Sequence, residues 1–363
     1  MAKKSIVLLK NNQNLLPLAK LQKNIAVIGA LAADKNSPLG NWRMGSDDNS
    51  ATSVTEGLAA AGISFNYAKG ADVITNEASF PVELQINTTD TTGFANAVAL
   101  AKKSEVVVMV LGEHGMQSGE GRSRSNLDLP GVQQQLLEAV YRVNKNIVLV
   151  VMSGRPLVLT WANTHIPAIV EAWQLGTTTG TALTQVLFGD YNPSGKLTMS
   201  FPRSVGQMPL YYNHFSTGRP GPKSEVFWSH YTDESNEALY PFGYGLSYTQ
   251  FAYSNLQTSV AADGTILASV QVTNTGKYAG EEVVQLYMRD KVASMVRPVQ
   301  ELKGFKKINL KPGESTQVAF TLTAAELGFY TDKGVFVVEP GEYDIMVGTN
   351  SKEVLRATVS TQR

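Results

Sequence analysis

Between residues 24 and 200 the sequence repeats one pattern, in which a short apolar run is followed by a segment with helical spacing. The clearest runs are residues 24–30 (NIAVIGA), 106–111 (VVVMVL) and 146–152 (NIVLVVM). Runs of this length without polar alternation are typical of strands that are buried on both faces of a parallel sheet. Because the helical segments between them have short connections, the pattern predicts a doubly wound, largely parallel α/β sandwich domain with helices on both faces.

The same periodicity locates the individual elements of this region. Proline is favoured in the first turn of a helix, so one helix is expected to open at Pro130. Residues 24–30 superficially resemble a dinucleotide-binding strand, but no G-x-G-x-x-G follows them, which excludes that function. The remaining predicted helices cover residues 53–61, 91–103 and 181–188, and further strands are predicted at residues 63–67 and 168–173.

Beyond residue 203 the periodicity changes twice. Residues 204–250 are rich in proline, glycine, tyrosine and histidine, and we interpret them as an ordered linker that wraps the preceding domain. Short alternating runs separated by turn residues follow in residues 251–363, with no helical segment between them. This spacing predicts an all-β sandwich of immunoglobulin or fibronectin type III kind. The predicted organisation is therefore an α/β domain over residues 1–203, the linker and the β-sandwich.

Composition excludes several classes of function. The 31 basic residues balance 31 acidic ones, so no overall field would attract nucleic acid or an anionic membrane. There is no cysteine, and the four histidines have no metal-ligand spacing, so we expect no metal site. No apolar stretch is long enough to span a membrane, and the first twenty residues do not have the pattern of a signal peptide.

The strand at residues 106–111 ends at a glycine and leads into a loop that is dense in charged residues. Glu113, Glu120, Arg122 and Arg124 all lie in it, with glycines on both sides of Glu120. Since ligands of open α/β sheets bind beyond the carboxyl ends of the strands, this loop is the first candidate for a functional site. A solvated, charged connection is the alternative that composition alone leaves open.

Several motifs resemble one family, and they run in that family's order over nearly all 363 residues. They include SIVLLKNNQNLLPL, LGEHGMQSGEGRSRSNLDLP, VLFGDYNPSGKLTMSFPRSVGQMPLYYNH and LYPFGYGLSYTQF. The sequence resembles the C-terminal half of glycoside hydrolase family 3 β-glucosidases, in particular the periplasmic enzymes of Gram-negative bacteria. The resemblance implies an α/β sandwich domain that lends a catalytic glutamate and a fibronectin type III-like domain. It also implies that the N-terminal barrel, which carries the nucleophilic aspartate in the family, is missing here.

The resemblance assigns roles to three residues. Glu120 matches the family's general acid/base, whereas sequence spacing alone also fits an exposed loop glutamate. Trp42 matches an aromatic residue that packs against the sugar in the leaving-group subsite, and burial in the core is its alternative. Phe242 is expected to border the same pocket, with packing between domains as the competing interpretation.

Glu113 follows the strand more closely than Glu120 and is expected to support the site rather than to react. We expect it to pair with Arg122 or Arg124 and so to hold the loop, although a purely structural ion pair fits equally well. Where the family commonly has W-x-P-G-x-E-G-G, residues 173–180 read WQLGTTTG. That departure concerns a local turn and not the position of Glu120.

The function implied by the resemblance is retaining hydrolysis of terminal β-D-glucosyl residues, without a cofactor or a metal. The expected partners are a β-glucoside or oligosaccharide substrate and the barrel domain, and a homodimer is one candidate assembly. With the nucleophile outside these residues, the isolated chain is expected to be inactive. The parent enzyme is expected to be periplasmic or secreted. The alternative is a non-catalytic sugar-binding or assembly module that complements a separately encoded barrel.

Overall fold

The computed structural model describes residues 1–362, and these residues form two compact units. Each unit is built mainly from one continuous part of the chain, and successive segments of residues 197–248 belong alternately to the second and the first unit. The first unit comprises residues 1–196, 201–208 and 245–248, and the second comprises residues 197–200, 209–244 and 249–363. The stretch that was predicted as a linker is thus divided between the two units, and its only helical element is a 3₁₀ turn at Val205–Gln207.

The first unit contains a six-stranded sheet and six helices. Its strands are β1 (Val7–Asn11), β2 (Ile25–Ile28), β3 (Phe65–Ala68), β4 (Val106–Gly112), β5 (Ile147–Met152) and β6 (Ala168–Glu171). Its helices are α1 (Ala2–Ser5), α2 (Val54–Ala60), α3 (Phe94–Lys102), α4 (Gln133–Val143), α5 (Thr160–His165) and α6 (Thr179–Leu187).

The strands are arranged in the order β1-β6-β5-β4-β2-β3. All neighbouring strands are parallel except β1, which pairs with β6 in the antiparallel direction. Every residue of β4 and β5 is buried, which explains why both strands are apolar along their whole length. One face of the sheet packs on α2 and α6, where Val108 and Val110 share a core with Leu58 and Leu183.

Local sequence explains where two of the helices begin. Ser53 caps α2 with a capping box, in which its hydroxyl accepts from the Glu56 peptide N–H and the Glu56 carboxylate accepts from the Ser53 peptide N–H. The prediction that Pro130 opens a helix was wrong, since α4 begins at Gln133. Gly131 has a φ of +63°, which lies in the left-handed region and cannot continue a right-handed helix.

The second unit contains two antiparallel sheets that enclose one core. The four-stranded sheet has the order β10-β9-β14-β15, and the three-stranded sheet has the order β11-β8-β7. Inward-facing residues such as Val270, Leu286, Phe320 and Ile345 form the core. The strands are β7 (Phe251–Val260), β8 (Ile266–Asn274), β9 (Gly280–Asp290), β10 (Glu301–Leu310), β11 (Ser315–Leu322), β12 (Phe329–Tyr330), β13 (Phe336–Val337), β14 (Gly341–Gly348) and β15 (Val354–Thr361), with a short helix α7 (Ala324–Leu327).

The observed architecture confirms the predicted fold class. An α/β sandwich with a mostly parallel sheet precedes an antiparallel β-sandwich of fibronectin type III kind. The alternation of apolar residues in β8 matches their burial, since inward positions are buried and outward positions are half-buried or exposed, and residues 318–322 of β11 alternate in the same way. No helix within residues 1–362 is both long and apolar enough to cross a membrane.

Candidate active site

The sheet of the first unit has a topological switch point between β2 and β4. From β2 the chain continues to β3 on one side, whereas from β4 it continues to β5 on the other side. The two loops that leave the carboxyl ends of these neighbouring strands flank this switch point, which is the position at which open α/β sheets bind ligands. The loop after β2 carries Trp42, and the loop after β4 carries Glu113 and Glu120.

Glu113 lies at the start of the loop after β4 and is buried, with 1% of its surface exposed. Its Oε1 atom lies 2.8 Å from Nη1 of Arg124 and 3.0 Å from Nε of Arg155. The peptide N–H of Gly154 donates to its Oε2 atom at 3.2 Å. A carboxylate whose two oxygens are already engaged by two guanidinium groups and a peptide N–H cannot reach a substrate oxygen, and it is a poor candidate for a proton donor.

Arg155 extends this ion pair to the rest of the loop. Its guanidinium donates to the carbonyl oxygens of Gln117 and Arg122, the latter at 2.7 Å. These two carbonyls lie on either side of Glu120, so Arg155 fixes both ends of the segment that carries this residue. The motifs did not single out Arg155 as a site residue. The available signal was its position three residues after the end of β5, the strand that neighbours β4.

The two arginines that were predicted as partners of Glu113 have different contacts. Arg124 pairs with Glu113 and also donates to the carbonyl of Asp128 at 2.9 Å. Arg122 instead donates to the carbonyl of Phe80 at 2.7 Å. Its guanidinium lies 3.7 Å from the carboxylate of Glu83, which is almost fully exposed. Arg122 thus anchors the loop to residues 80–83, because its side chain extends away from Glu113.

Glu120 is exposed, and its carboxylate forms no hydrogen bond or ion pair within residues 1–362. Gly119 before it has a φ of +114°, and Gly121 after it has a φ of +68°. Both values lie in the left-handed region that favours glycine, so the backbone on both sides of Glu120 depends on these two residues. The arrangement leaves a free carboxyl group on a turn whose base is fixed by Arg155.

The loop after β2 lies against the loop after β4. The hydroxyl of Ser37 accepts from the peptide N–H of Gly115 at 3.0 Å. A Cβ atom at Gly119 would lie 2.3 Å from Nδ2 of Asn41, so these two residues are in close contact. Trp42 follows Asn41 and is 68% exposed, which overturns the alternative that it packs in the core. The contact therefore joins the residues that directly precede Trp42 and Glu120.

A third loop, which follows β6, supports the other two. Nε2 of Gln174 donates to the carbonyl of Gly115 and to the hydroxyl of Ser118, both at 3.2 Å. A Cβ atom at Gly40 would lie 2.5 Å from Oε1 of Gln174. Gln174 belongs to the stretch that departs from the expected family pattern, and its side chain contacts the loops after β2 and β4.

Phe242 lies in the second unit, where it belongs to an aromatic cluster. Its ring stacks on Tyr212 with centroids 4.1 Å apart, and it meets Tyr287 edge to face with centroids 6.5 Å apart. The side chain is half-buried. Packing within its own unit is thus the contact that the structure assigns to Phe242.

Two titratable groups near the start of the loop after β4 have shifted pKa values, the buried Glu171 and the half-buried His114, which lies in the loop itself. Burial raises the pKa of Glu171 well above its usual range and the nearby Glu113 adds to this effect, whereas hydrogen bonds from Trp173 and Ser153 oppose it. Burial lowers the pKa of His114, which favours the neutral ring, and Asp34 acts in the opposite direction. In residues 1–362, no cluster of three or more histidine, aspartate or glutamate side chains could hold a metal ion.

Comparison with known proteins identifies the family. The Glycosyl hydrolase family 3 C-terminal domain matches residues 6–248, and the Fibronectin type III-like domain matches residues 282–351. The chain therefore belongs to glycoside hydrolase family 3. This result confirms the resemblance that was drawn from the motifs.

Individual relatives agree with this assignment. The periplasmic β-glucosidase of Salmonella typhimurium is 43% identical over 97% of this chain and 48% of the relative. A β-xylosidase of Formosa agariphila is 42% identical over 99% of this chain and 49% of the relative. The crystal structure of a β-glucosidase from Listeria innocua in complex with isofagomine has a TM-score of 0.89 at 36% identity, over 99% of this chain and 49% of that chain. The chain thus spans about half the length of the relatives it matches.

Proposed function

We propose that this chain is the C-terminal portion of a retaining β-glucosidase that removes terminal β-D-glucosyl residues, with Glu120 as its general acid/base. The observation that carries the proposal is the free carboxyl group of Glu120 on a turn that packs against Asn41, the residue before the exposed Trp42. A second carboxylate, which acts as the nucleophile, would come from a barrel domain that these residues do not include.

The two acidic residues of the loop suit different tasks. A general acid must reach the leaving-group oxygen and must release and regain a proton within each turnover. Glu113 is buried and paired with Arg124 and Arg155, so it cannot approach a substrate. Glu120 is exposed, and the glycines beside it allow the turn that presents its carboxyl group to a partner domain.

The chemistry of a retaining glycosidase needs two steps. In the first, Glu120 would donate its proton to the glycosidic oxygen while the second carboxylate, about 5 Å away, attacks the anomeric carbon. In the second, Glu120 would take a proton from water, which then releases the sugar from the covalent intermediate. The exposed ring of Trp42 would pack against the leaving-group sugar, since flat aromatic faces complement the apolar face of a pyranose.

Relatives support a glucoside as the substrate. Their names include several β-glucosidases and a β-xylosidase, and a mutant of the Listeria innocua enzyme is in complex with laminaribiose. The periplasmic location in the name of the Salmonella typhimurium relative supports an exported parent enzyme.

The test is the hydrolysis of aryl β-glucosides by the chain joined to the barrel domain of a family 3 β-glucosidase. Glu120→Gln should lower kcat/KM by about 10² to 10⁴ for a poor leaving group, because general acid catalysis contributes that much. The loss should be small for a dinitrophenyl glucoside, whose leaving group needs no proton. Azide should restore turnover, because it attacks the covalent intermediate without a base, whereas water needs one.

A matched control is Glu77→Gln, because Glu77 is also an exposed loop glutamate of the first unit. This variant should retain full activity. If Glu120→Gln also retains full activity, Glu120 is not the acid/base. If the joined protein binds glucosides but does not hydrolyse them, the alternative of a non-catalytic sugar-binding module replaces the proposal.

A further inference from the structure

Asn41 is the most unusual polar side chain of the candidate active site. It is 5% exposed, and neither its Nδ2 donor nor its Oδ1 acceptor has a hydrogen-bond partner within residues 1–362. Buried amide groups are nearly always paired, so an amide without a partner calls for an explanation in its surroundings. No function assigned so far uses this side chain.

The surroundings of the amide are the turn that carries Glu120. A Cβ atom at Gly119 would lie 2.3 Å from Nδ2 of Asn41 and 3.1 Å from its Cβ and Cγ atoms. The backbone of Gly119 thus lies directly on the side-chain amide. Gly121, by contrast, has no atom within 4 Å of its would-be Cβ position. Glu120 therefore sits between one glycine that is packed and one that is free to turn.

The peptide groups of this turn complement the free amide. The N–H groups of Gly119 and Glu120 donate to no acceptor within the described part of the chain, whereas the carbonyl of Gly119 accepts from Arg122 at 3.2 Å. The atom of the Asn41 amide that lies nearest to Gly119 is Nδ2, so the unused acceptor Oδ1 lies on the other side of the amide. A flip of the amide, which exchanges the positions of Nδ2 and Oδ1, would turn the acceptor toward the two free donors. A small change of the turn about Gly119 and Gly121 would then complete the hydrogen bond, because glycine permits such a change at low cost.

We propose that Asn41 is a positioning residue for Glu120, whose amide oxygen accepts from the peptide N–H of Glu120 and fixes the turn in the setting for proton transfer. This inference rests on the proposed function of Glu120. It assigns to Asn41 no contact with the substrate, since both of its polar side-chain atoms are shielded from solvent. A purely structural role for Asn41 is the competing explanation.

The decisive variant is Asn41→Leu, which has a similar size and removes two unpaired polar atoms. If Asn41 only fills space, this change should leave stability and activity unaltered or improved. If Asn41 positions Glu120, kcat/KM should fall by about 10² for a poor leaving group in the chain joined to a barrel domain, because a displacement of about 1 Å costs that much. The dinitrophenyl glucoside should be affected less than about threefold, since it needs no proton.

A second measurement uses the chain joined to a barrel domain, in which the setting for proton transfer is formed, without a substrate. Asn41→Leu should accelerate hydrogen exchange at the amide of Glu120, while exchange in the buried strand β5 should stay unchanged. Asn41→Ala provides the same test with a side chain too small to clash, should the leucine variant fail to fold.

The two measurements separate the positioning role from the proposed function. If Asn41→Leu accelerates exchange at Glu120 but the joined protein has no glycosidase activity, the contact between Asn41 and Glu120 stands and the proposed function is wrong. Unchanged exchange, or an equal loss of activity for good and poor leaving groups, would overturn the positioning role.

Discussion

The ion pair of Glu113 with two arginines gives a prediction whose size follows from the structure. Glu113→Gln keeps the shape of the side chain and removes its charge. Glu113 itself is buried, and the side chains of Arg124 and Arg155 are only 18% and 20% exposed. The substitution would therefore leave two guanidinium groups with little access to water and without a counter-charge.

Removal of one partner from a buried ion pair costs about 3–5 kcal/mol. Because both arginines retain some contact with water, we expect the lower end, about 3 kcal/mol in the free energy of unfolding. For a unit of this size, 1 kcal/mol corresponds to a shift of about 2–4 °C in Tm. The first unit should thus melt about 6–12 °C lower in the variant.

Differential scanning calorimetry of the chain would measure this shift, with the transitions of the two units analysed separately. Glu77→Gln is the matched control and should change the free energy of unfolding by less than about 0.5 kcal/mol, as surface substitutions do. If Glu113→Gln melts like the control, the ion pair does not stabilise the unit and the reasoning from burial is wrong.

Three further predictions concern other parts of the first unit. Because burial raises the pKa of Glu171, the folded protein keeps a proton that the unfolded chain has lost above pH 4.5. The free energy of unfolding should therefore fall as pH rises, by at most about 1.4 kcal/mol per pH unit. Glu171→Gln should abolish this contribution in urea unfolding at several pH values. Gly57→Ala should cost about 1–3 kcal/mol in the same assay, because its Cβ atom would lie 2.3 Å from the carbonyl of Gly180. Trp42→Ala should leave Tm unchanged but should raise KM for an aryl glucoside about tenfold in the chain joined to a barrel domain, since a lost stacking contact is worth up to about 1.5 kcal/mol.

The sequence by itself determined the class of both units and most of their strands. Uninterrupted apolar runs such as Val106–Gly112 and Ile147–Met152 indicate strands whose side chains are buried on both faces of a sheet. Alternating runs such as Ile266–Asn274 indicate strands whose side chains are buried on one face. These signals are local, because they depend on the side chains of a single strand. The family motifs also singled out Glu120 and Trp42 as candidate site residues before any contact was known.

The start of α4 shows the limit of such local signals. Proline at the first turn is a general preference, and Pro130 fits it. The conformation of Gly131, which packs against the backbone of Asn87, moves the helix start to Gln133. A contact with a residue more than forty positions away thus decided a boundary that looked local.

Only the tertiary structure decided which residues meet at the candidate active site. The antiparallel strand β1, the contact of Arg155 with Glu113 and the contact of Asn41 with Gly119 join segments that are far apart in the sequence. Such contacts depend on the order of strands in the sheet and on the paths of the loops between them. No periodicity within one segment encodes that order, because it results from the packing of all segments together.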